Sequence, residues 1–80
     1  MKTIELMDHD LSVSDYSHFE LKLQAKGGKC TAAFRHWTTP QGTPHIELSH
    51  PVIEFDETQS PEPEIQELVK GYGFLRRSGQ

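Results

Sequence analysis

Apolar and polar residues alternate most clearly in FELKLQAK, residues 19–26. A period of two is typical of a half-buried β-strand, so this segment is predicted to be one. Gly27 and Gly28 follow directly and suit a two-residue hairpin turn, whose central positions take positive φ. A second strand over residues 30–37 is therefore predicted to pair with the first.

A third strand is predicted in HIELSHPVIEF, after the turn sequence TTPQGTP. Matching the apolar faces places Phe34 opposite Leu48 and Arg35 opposite Glu47. Opposite charges on neighbouring strands stabilise a sheet by roughly 0.2–1 kcal/mol per pair, which favours this register over one shifted by two residues. Pro51 has no amide hydrogen to donate, so it predicts a sheet edge or a bend, with VIEF as a candidate fourth strand.

The charged face of this predicted sheet has two rows that cross three strands. One row is a ladder of Glu20, Arg35 and Glu47, and the other aligns His18, Trp37 and His45. Tryptophan is enriched at the energetic centres of protein interfaces, so Trp37 is a candidate contact residue. The alternative is that its ring folds against the TTPQGTP loop.

The pattern is weak at the N-terminal end of the chain and strong at the C-terminal end. KTIEL predicts a short first strand with Ile4 and Leu6 inward, and MDHDLSVSDYSH is predicted to be a loop. SPEPEIQELVKGYGF predicts a helix with Ser60 as its N-cap, Pro61 at its first position and two glycines at its end. Its apolar stripe follows helical spacing and consists of Ile65, Leu68, Val69 and Tyr72.

These elements predict a two-layer α+β fold, an antiparallel sheet of three to four strands covered by one C-terminal helix. Residues 1–75 are predicted to form a single small α+β domain, and residues 76–80 a frayed tail. A chain of 80 residues buries a thin core. That size favours a binder, an inhibitor or a subunit over a multistep enzyme.

Composition narrows the functional classes further. The net charge is −4, yet residues 21–35 carry four basic side chains and no acidic one, and residues 36–69 carry seven acidic side chains and no basic one. The single cysteine excludes an internal disulfide, and the N-terminus has no apolar signal-peptide region. The expected location is cytoplasmic, without a membrane partner.

No motif for catalysis or cofactor binding is recognisable, so the chain is predicted not to be an enzyme and to use no cofactor. Five histidines invite a metal interpretation, but His45 and His50 are an odd number of residues apart and would point to opposite faces of a strand. Cys30 is predicted to face the core, where a thiol is inert. No metal site is predicted.

Two charged surfaces remain as candidate binding sites. The basic set could contact nucleic-acid phosphates; it consists of Lys22, Lys26, Lys29 and Arg35. The acidic set, with Trp37, would suit a protein partner with a basic surface; it consists of Glu54, Asp56, Glu57, Glu62, Glu64 and Glu67. Because nucleic-acid modules usually have a basic balance, the protein partner is preferred.

The sequence therefore predicts a small, non-enzymatic, acidic protein-binding module. A narrower hypothesis is an inhibitor of a nucleic-acid-handling complex, such as an anti-defence protein encoded by a mobile element. One alternative is a nucleic-acid-binding domain that uses the basic hairpin face. The other is a small structural subunit that forms a homodimer through its sheet edge.

Overall fold

The computed structural model describes residues 1–77 and shows an α+β fold with an antiparallel four-stranded sheet. Its elements, in chain order, are β1 (Lys2–Glu5), β2 (His9–Ser12), α1 (Val13–Ala25), β3 (Gly28–Thr38), β4 (Pro44–Phe55) and α2 (Glu62–Gly71). The predicted fold class is confirmed in this coarse form. The prediction of a single helix is wrong, because a second helix, α1, lies between β2 and β3.

The long strand β4 organises the sheet. Along one edge it pairs with β3, and along the other it pairs with β2 and β1, which lie end to end. The predicted third and fourth strands are thus one strand that continues through Pro51. The predicted bend is present as an irregularity, because the register with β3 shifts between Thr31 and Ala33, and His50 has φ of 50°.

The strand predicted over residues 19–26 is wrong, since this segment is the second half of α1. Ser12 caps the helix, and its hydroxyl oxygen accepts the Asp15 backbone N–H at 3.1 Å. Phe19 and Leu23, four residues apart, are fully buried, but Leu21 between them is 63% exposed. Alternation and helical spacing share positions 19 and 23, so the exposed Leu21 and Ala25 distinguish them.

Because residues 19–25 belong to a helix, the part of the predicted sheet register that involved them is wrong. Glu20 and His18 lie on α1, so neither belongs to the predicted rows on the sheet. The rest of the register is confirmed between β3 and β4. The opposed pairs are Phe34 and Leu48, Arg35 and Glu47, and Trp37 and His45.

The core lies between one face of the sheet and the two helices. Sheet residues and helix residues form one buried cluster, which includes Leu48, Phe55, Phe19 and Ile65. Towards the far end of β3 the cover is thin: Phe34 faces the same side as Leu48 and its ring lies 5.6 Å from that of Tyr16 on α1, yet it remains 43% exposed. The sheet is therefore only partly covered.

Helix α2 confirms the predicted C-terminal helix. Ile65 and Val69 are buried, and Leu68 and Tyr72 pack against the core. The N-cap is Pro61 instead of the predicted Ser60, which is buried. Neither described helix is long and apolar enough to cross a membrane.

The segment after α2 returns to the sheet. Arg76 forms an antiparallel bridge with Leu6, and the backbone N–H of Arg77 donates to the carbonyl oxygen of Glu5 at 3.0 Å. These two residues, the first of the predicted tail, are thus part of the fold. The rest of that tail, residues 78–80, lies outside the described residues.

Two glycine substitutions should have opposite effects on stability. A Cβ on Gly28 would lie 2.6 Å from Cδ1 of the buried Leu23, but a Cβ on Gly71 meets nothing within 4 Å. We expect Gly28→Ala to lower the free energy of unfolding by about 1–3 kcal/mol through overpacking. Gly71→Ala should raise it by up to about 1 kcal/mol, because alanine favours a helix. Urea unfolding of both variants checks this pair, and equal effects would contradict the packing described here.

Candidate protein-binding surface

The side of the sheet turned away from the helices forms an open face. In β4 the core takes Ile46, Leu48, Pro51, Ile53 and Phe55, so His45, Glu47, Val52 and Glu54 point the other way. The same alternation places residues of β1, β2 and β3 on this side. We call it the open face; its charged, histidine and aromatic members are Glu5, Asp10, Lys29, Arg35, Trp37, His45, Glu47 and Glu54.

Three side chains from three strands meet at one end of the open face. Trp37 on β3 donates its indole N–H to Oδ2 of Asp10 on β2, and Nδ1 of His45 on β4 lies 2.6 Å from Oδ1 of the same carboxylate. The Trp37 and His45 rings have centroids 5.0 Å apart. We call this group the Asp10 cluster. It holds the indole ring in one position although 39% of Trp37 is exposed.

The contacts of Asp10 change its ionisation. Burial alone raises the pKa of this carboxyl, but hydrogen bonds from His45 and Trp37, together with the nearby His45 and His9 charges, outweigh it. The net result is a pKa below the ordinary value of aspartate. Asp10 therefore stabilises the fold in its ionised form.

Removing this charge should cost stability in a pH-dependent way. Because the folded pKa is lowered, the contribution is complete above the unfolded pKa of about 3.9 and is lost as pH falls through the folded pKa. The Asp10 side chain is 35% exposed, so water screens the effect. We expect Asp10→Asn to lower the free energy of unfolding by about 1 kcal/mol at neutral pH. Urea unfolding should show the difference from wild type narrowing below about pH 4; a constant difference would contradict the assignment.

The open face has an acidic balance. It carries the carboxylates of Glu5, Asp10, Glu47 and Glu54 against the cations of Lys29 and Arg35. Arg35 Nη2 lies 3.2 Å from Oε1 of Glu47, which confirms the sequence-predicted pair. Lys29 lies opposite Glu54 in the register. The other two carboxylates contact imidazoles: Oε1 of Glu5 lies 2.9 Å from Nε2 of His50, and Asp10 contacts His45.

The predicted acidic set does not form one surface with Trp37. Glu54 lies on the open face, far along β4 from His45, and the other five carboxylates lie in the connector after β4 and in α2. Several meet cations that are distant in sequence. Lys2 lies 3.4 Å from Glu57 and 3.3 Å from Glu62, and Lys26 lies 3.8 Å from Glu64.

Two further members of the acidic set have local roles. The backbone N–H and the hydroxyl of Thr58 both donate to Oδ1 of Asp56, and these bonds lower the pKa of that carboxyl. Glu67 lines a shallow groove beside Lys26 and Leu68. Thus much of the acidic set stabilises the connector and the start of α2.

The predicted basic set is divided between elements. Lys22 lies on α1 with its ammonium 5.4 Å from the centre of the Tyr72 ring, and Lys26 caps the same helix. Only Lys29 and Arg35 are on the open face, at separate positions of β3. The structure therefore does not bring the four cations together.

Two candidates from the sequence remain, a metal site and a reactive cysteine. Among residues 1–77, no three histidine, cysteine, aspartate or glutamate side chains are grouped so that they could hold a metal ion. Cys30 is partly buried against the core, and burial raises the pKa of its thiol to about 11. At neutral pH this thiol is protonated and a poor nucleophile.

Sequence reasoning missed Asp10 as a site residue. Its segment was predicted to be a loop, so nothing placed it beside β4. Two signals were available: Asp10 and Ser12 flank the buried Leu11 with the period of a strand, and Ser12 with Asp15 forms a helix-start pattern. The pairing of Trp37 with His45 was predicted correctly.

Comparisons with known proteins identify no relative of this chain. No protein family model, curated protein or solved structure matches it.

Proposed function

We propose that this chain is a small protein-binding module that docks a partner with a basic surface on its open face. The observation that carries the proposal is the position of Trp37, an exposed indole held by Asp10 on a sheet face without a helix. A pre-positioned aromatic ring loses little conformational freedom on binding, which is the property of an interface anchor.

The charges around Trp37 favour a partner with a basic surface. Asp10 and Glu47 lie in neighbouring strands beside it, and the open face as a whole has more carboxylates than cations. Complementary charge steers association and selects partners more than it adds affinity. A basic protein surface around an apolar pocket for the indole would match both features.

The acidic set supplies a second candidate surface for the same function. Its members beside α2 are engaged by Lys2, Lys26 and Arg76, which reduces the negative charge available to a partner. Glu54 belongs to both surfaces, because it lies on the open face. Carboxylates near Trp37 have partners too, as Glu47 does in Arg35, so we favour the Trp37 end of the sheet because it also presents an exposed, held indole.

The charge layout gives less support to the nucleic-acid alternative. Binding to phosphates needs clustered cations, but Lys22 lies on α1, Lys26 caps that helix beside Glu64, and Arg35 is paired with Glu47. The hypothesis of an inhibitor of a nucleic-acid-handling complex is a narrower form of the proposal. In that case the acidic open face would occupy a groove that otherwise accepts nucleic acid.

A tagged pull-down from native cells, treated with nuclease and analysed by mass spectrometry, tests the proposed function. We expect one abundant basic protein at near-equal stoichiometry, and capture should not depend on nucleic acid. The matched control is Lys22→Glu with Lys26→Glu, which changes charge away from the open face and should capture the same protein. Loss of all captured protein on nuclease treatment would contradict the proposal and favour nucleic-acid binding.

A further inference from the structure

His45 is the imidazole of the Asp10 cluster, and its two ring nitrogens have different surroundings. Nδ1 lies 2.6 Å from Oδ1 of Asp10. Because an ionised carboxylate can only accept, Nδ1 carries the hydrogen of this bond. Within residues 1–77 nothing hydrogen-bonds to Nε2, and 25% of the side chain is exposed. Nε2 can therefore take up a proton from water while the cluster keeps its geometry.

Protonation of His45 changes the charge beside Trp37. The cluster carries the negative charge of Asp10 while the imidazole is neutral, and it carries no net charge once the imidazole is protonated. The centroids of the Trp37 and His45 rings are 5.0 Å apart, so the added charge lies next to the indole. A partner's cation is attracted to an indole face and to a carboxylate, but an imidazolium repels it.

The elements next to His45 supply other charged side chains. They are Arg35 on β3, Glu47 on β4, Asp15 in the first turn of α1, and Asp10 and His9 on β2. Carboxylates and guanidinium groups ordinarily titrate outside the range from about pH 5 to 8, and imidazole titrates within it. His9 is also an imidazole and acts on Asp10 by its charge, but its ring packs against Phe74 on the core side. The titrating group beside the anchor on the open face is thus His45.

We propose that His45 is a proton sensor for the open face, which docks its partner more weakly when this imidazole is protonated. The inference rests on the proposed function and names a regulation of the same surface. It follows from the geometry of the cluster, because the bond from Nδ1 to Asp10 exists in both protonation states and only the charge changes. Docking of a basic surface should therefore weaken as the pH falls from about 8 to about 5.

The fluorescence of Trp37 tests the sensor without a partner. Trp37 is the single tryptophan of the chain, so its emission reports on this cluster. A protonated imidazole next to an indole quenches its emission, so we expect one step of decreasing emission between about pH 8 and about pH 5. His45→Asn keeps a side-chain N–H for Asp10 but does not titrate, and it should remove the step. His18→Gln, at an exposed position of α1, is the matched control and should retain it.

A measurement on the wild type guards against an effect of the substitution on folding. The ring protons of His45 should titrate in NMR spectra with the same midpoint as the emission of Trp37. Different midpoints would overturn the proposal, as would a fluorescence step that persists in folded His45→Asn.

Poly-L-arginine, with binding followed by Trp37 emission, tests the effect on docking, because guanidinium charge is constant over this pH range. Other imidazoles also titrate, such as His50 beside Glu5, so the wild type is compared with His45→Asn. We expect the ratio of the affinities at about pH 8 and about pH 5 to be about fivefold larger for the wild type. Equal ratios would overturn the sensor and leave the proposed function intact. No binding by the wild type at either pH would contradict the proposed function, and the sensor with it.

Discussion

Phe19→Ala is expected to remove a large part of the free energy of unfolding. The Phe19 side chain is fully buried, and its ring centroid lies 4.9 Å from that of Phe74 and 5.3 Å from that of Tyr72. Its ring joins α1 to the segment after α2, so its truncation removes contacts between the two. Truncating a buried phenylalanine costs about 3–5 kcal/mol. Small domains have only about 5–15 kcal/mol of stability in total.

The matched control is Leu21→Ala, two residues along the same helix. Leu21 is 63% exposed, so its truncation should change the free energy of unfolding by no more than about 0.5 kcal/mol. Circular dichroism during urea unfolding measures both variants. A strand over residues 19–26 would bury both side chains on one face and make the two losses similar. That result would contradict α1.

Trp37→Ala is expected to have the largest effect on partner binding. It removes the exposed anchor of the open face and leaves Asp10 without its indole donor. Central interface tryptophans contribute about 2 kcal/mol or more on truncation, which is about a 30-fold loss of affinity. Because Trp37 is outside the buried cluster, the fold should lose only about 1 kcal/mol.

Trp37→Phe refines this expectation. Phenylalanine keeps an aromatic ring but has no N–H to donate to Asp10. We expect an affinity between those of the wild type and Trp37→Ala, measured by isothermal titration with the captured partner. If Trp37→Phe binds as weakly as Trp37→Ala, the position of the ring matters more than its apolar area. If neither variant loses affinity, Trp37 is not the anchor.

The sheet was predictable where strand periodicity and charge agreed. β3 and β4 alternate clearly, and the Arg35–Glu47 pair selects their register, which is confirmed. The N-terminal half was harder, because the apolar residues at 19 and 23 fit a strand and a helix equally well. The polar residues between them favoured the strand, and the burial of Phe19 and Leu23 without Leu21 and Ala25 distinguishes the two.

The candidate site was less predictable because it depends on contacts distant in sequence. The Asp10 cluster joins residues from three strands, and its β2 member could not be placed once that segment was predicted to be a loop. Residues 36–69 contain no lysine or arginine, so the sequence shows no cation near the acidic set. In the folded chain, members of this set contact cations that are distant in sequence; Lys2, for example, lies beside Glu62. Local sequence shows the charges but not their tertiary partners.

The affinity of the captured partner for two variants tests the central claim most directly. Trp37→Ala removes the anchor of the open face, and Glu62→Lys with Glu64→Lys inverts the charge at the start of α2. The account predicts a loss of about 30-fold or more for Trp37→Ala and a change within about threefold for the double variant. A large loss for the double variant with unchanged binding by Trp37→Ala would contradict it and place the interface at α2.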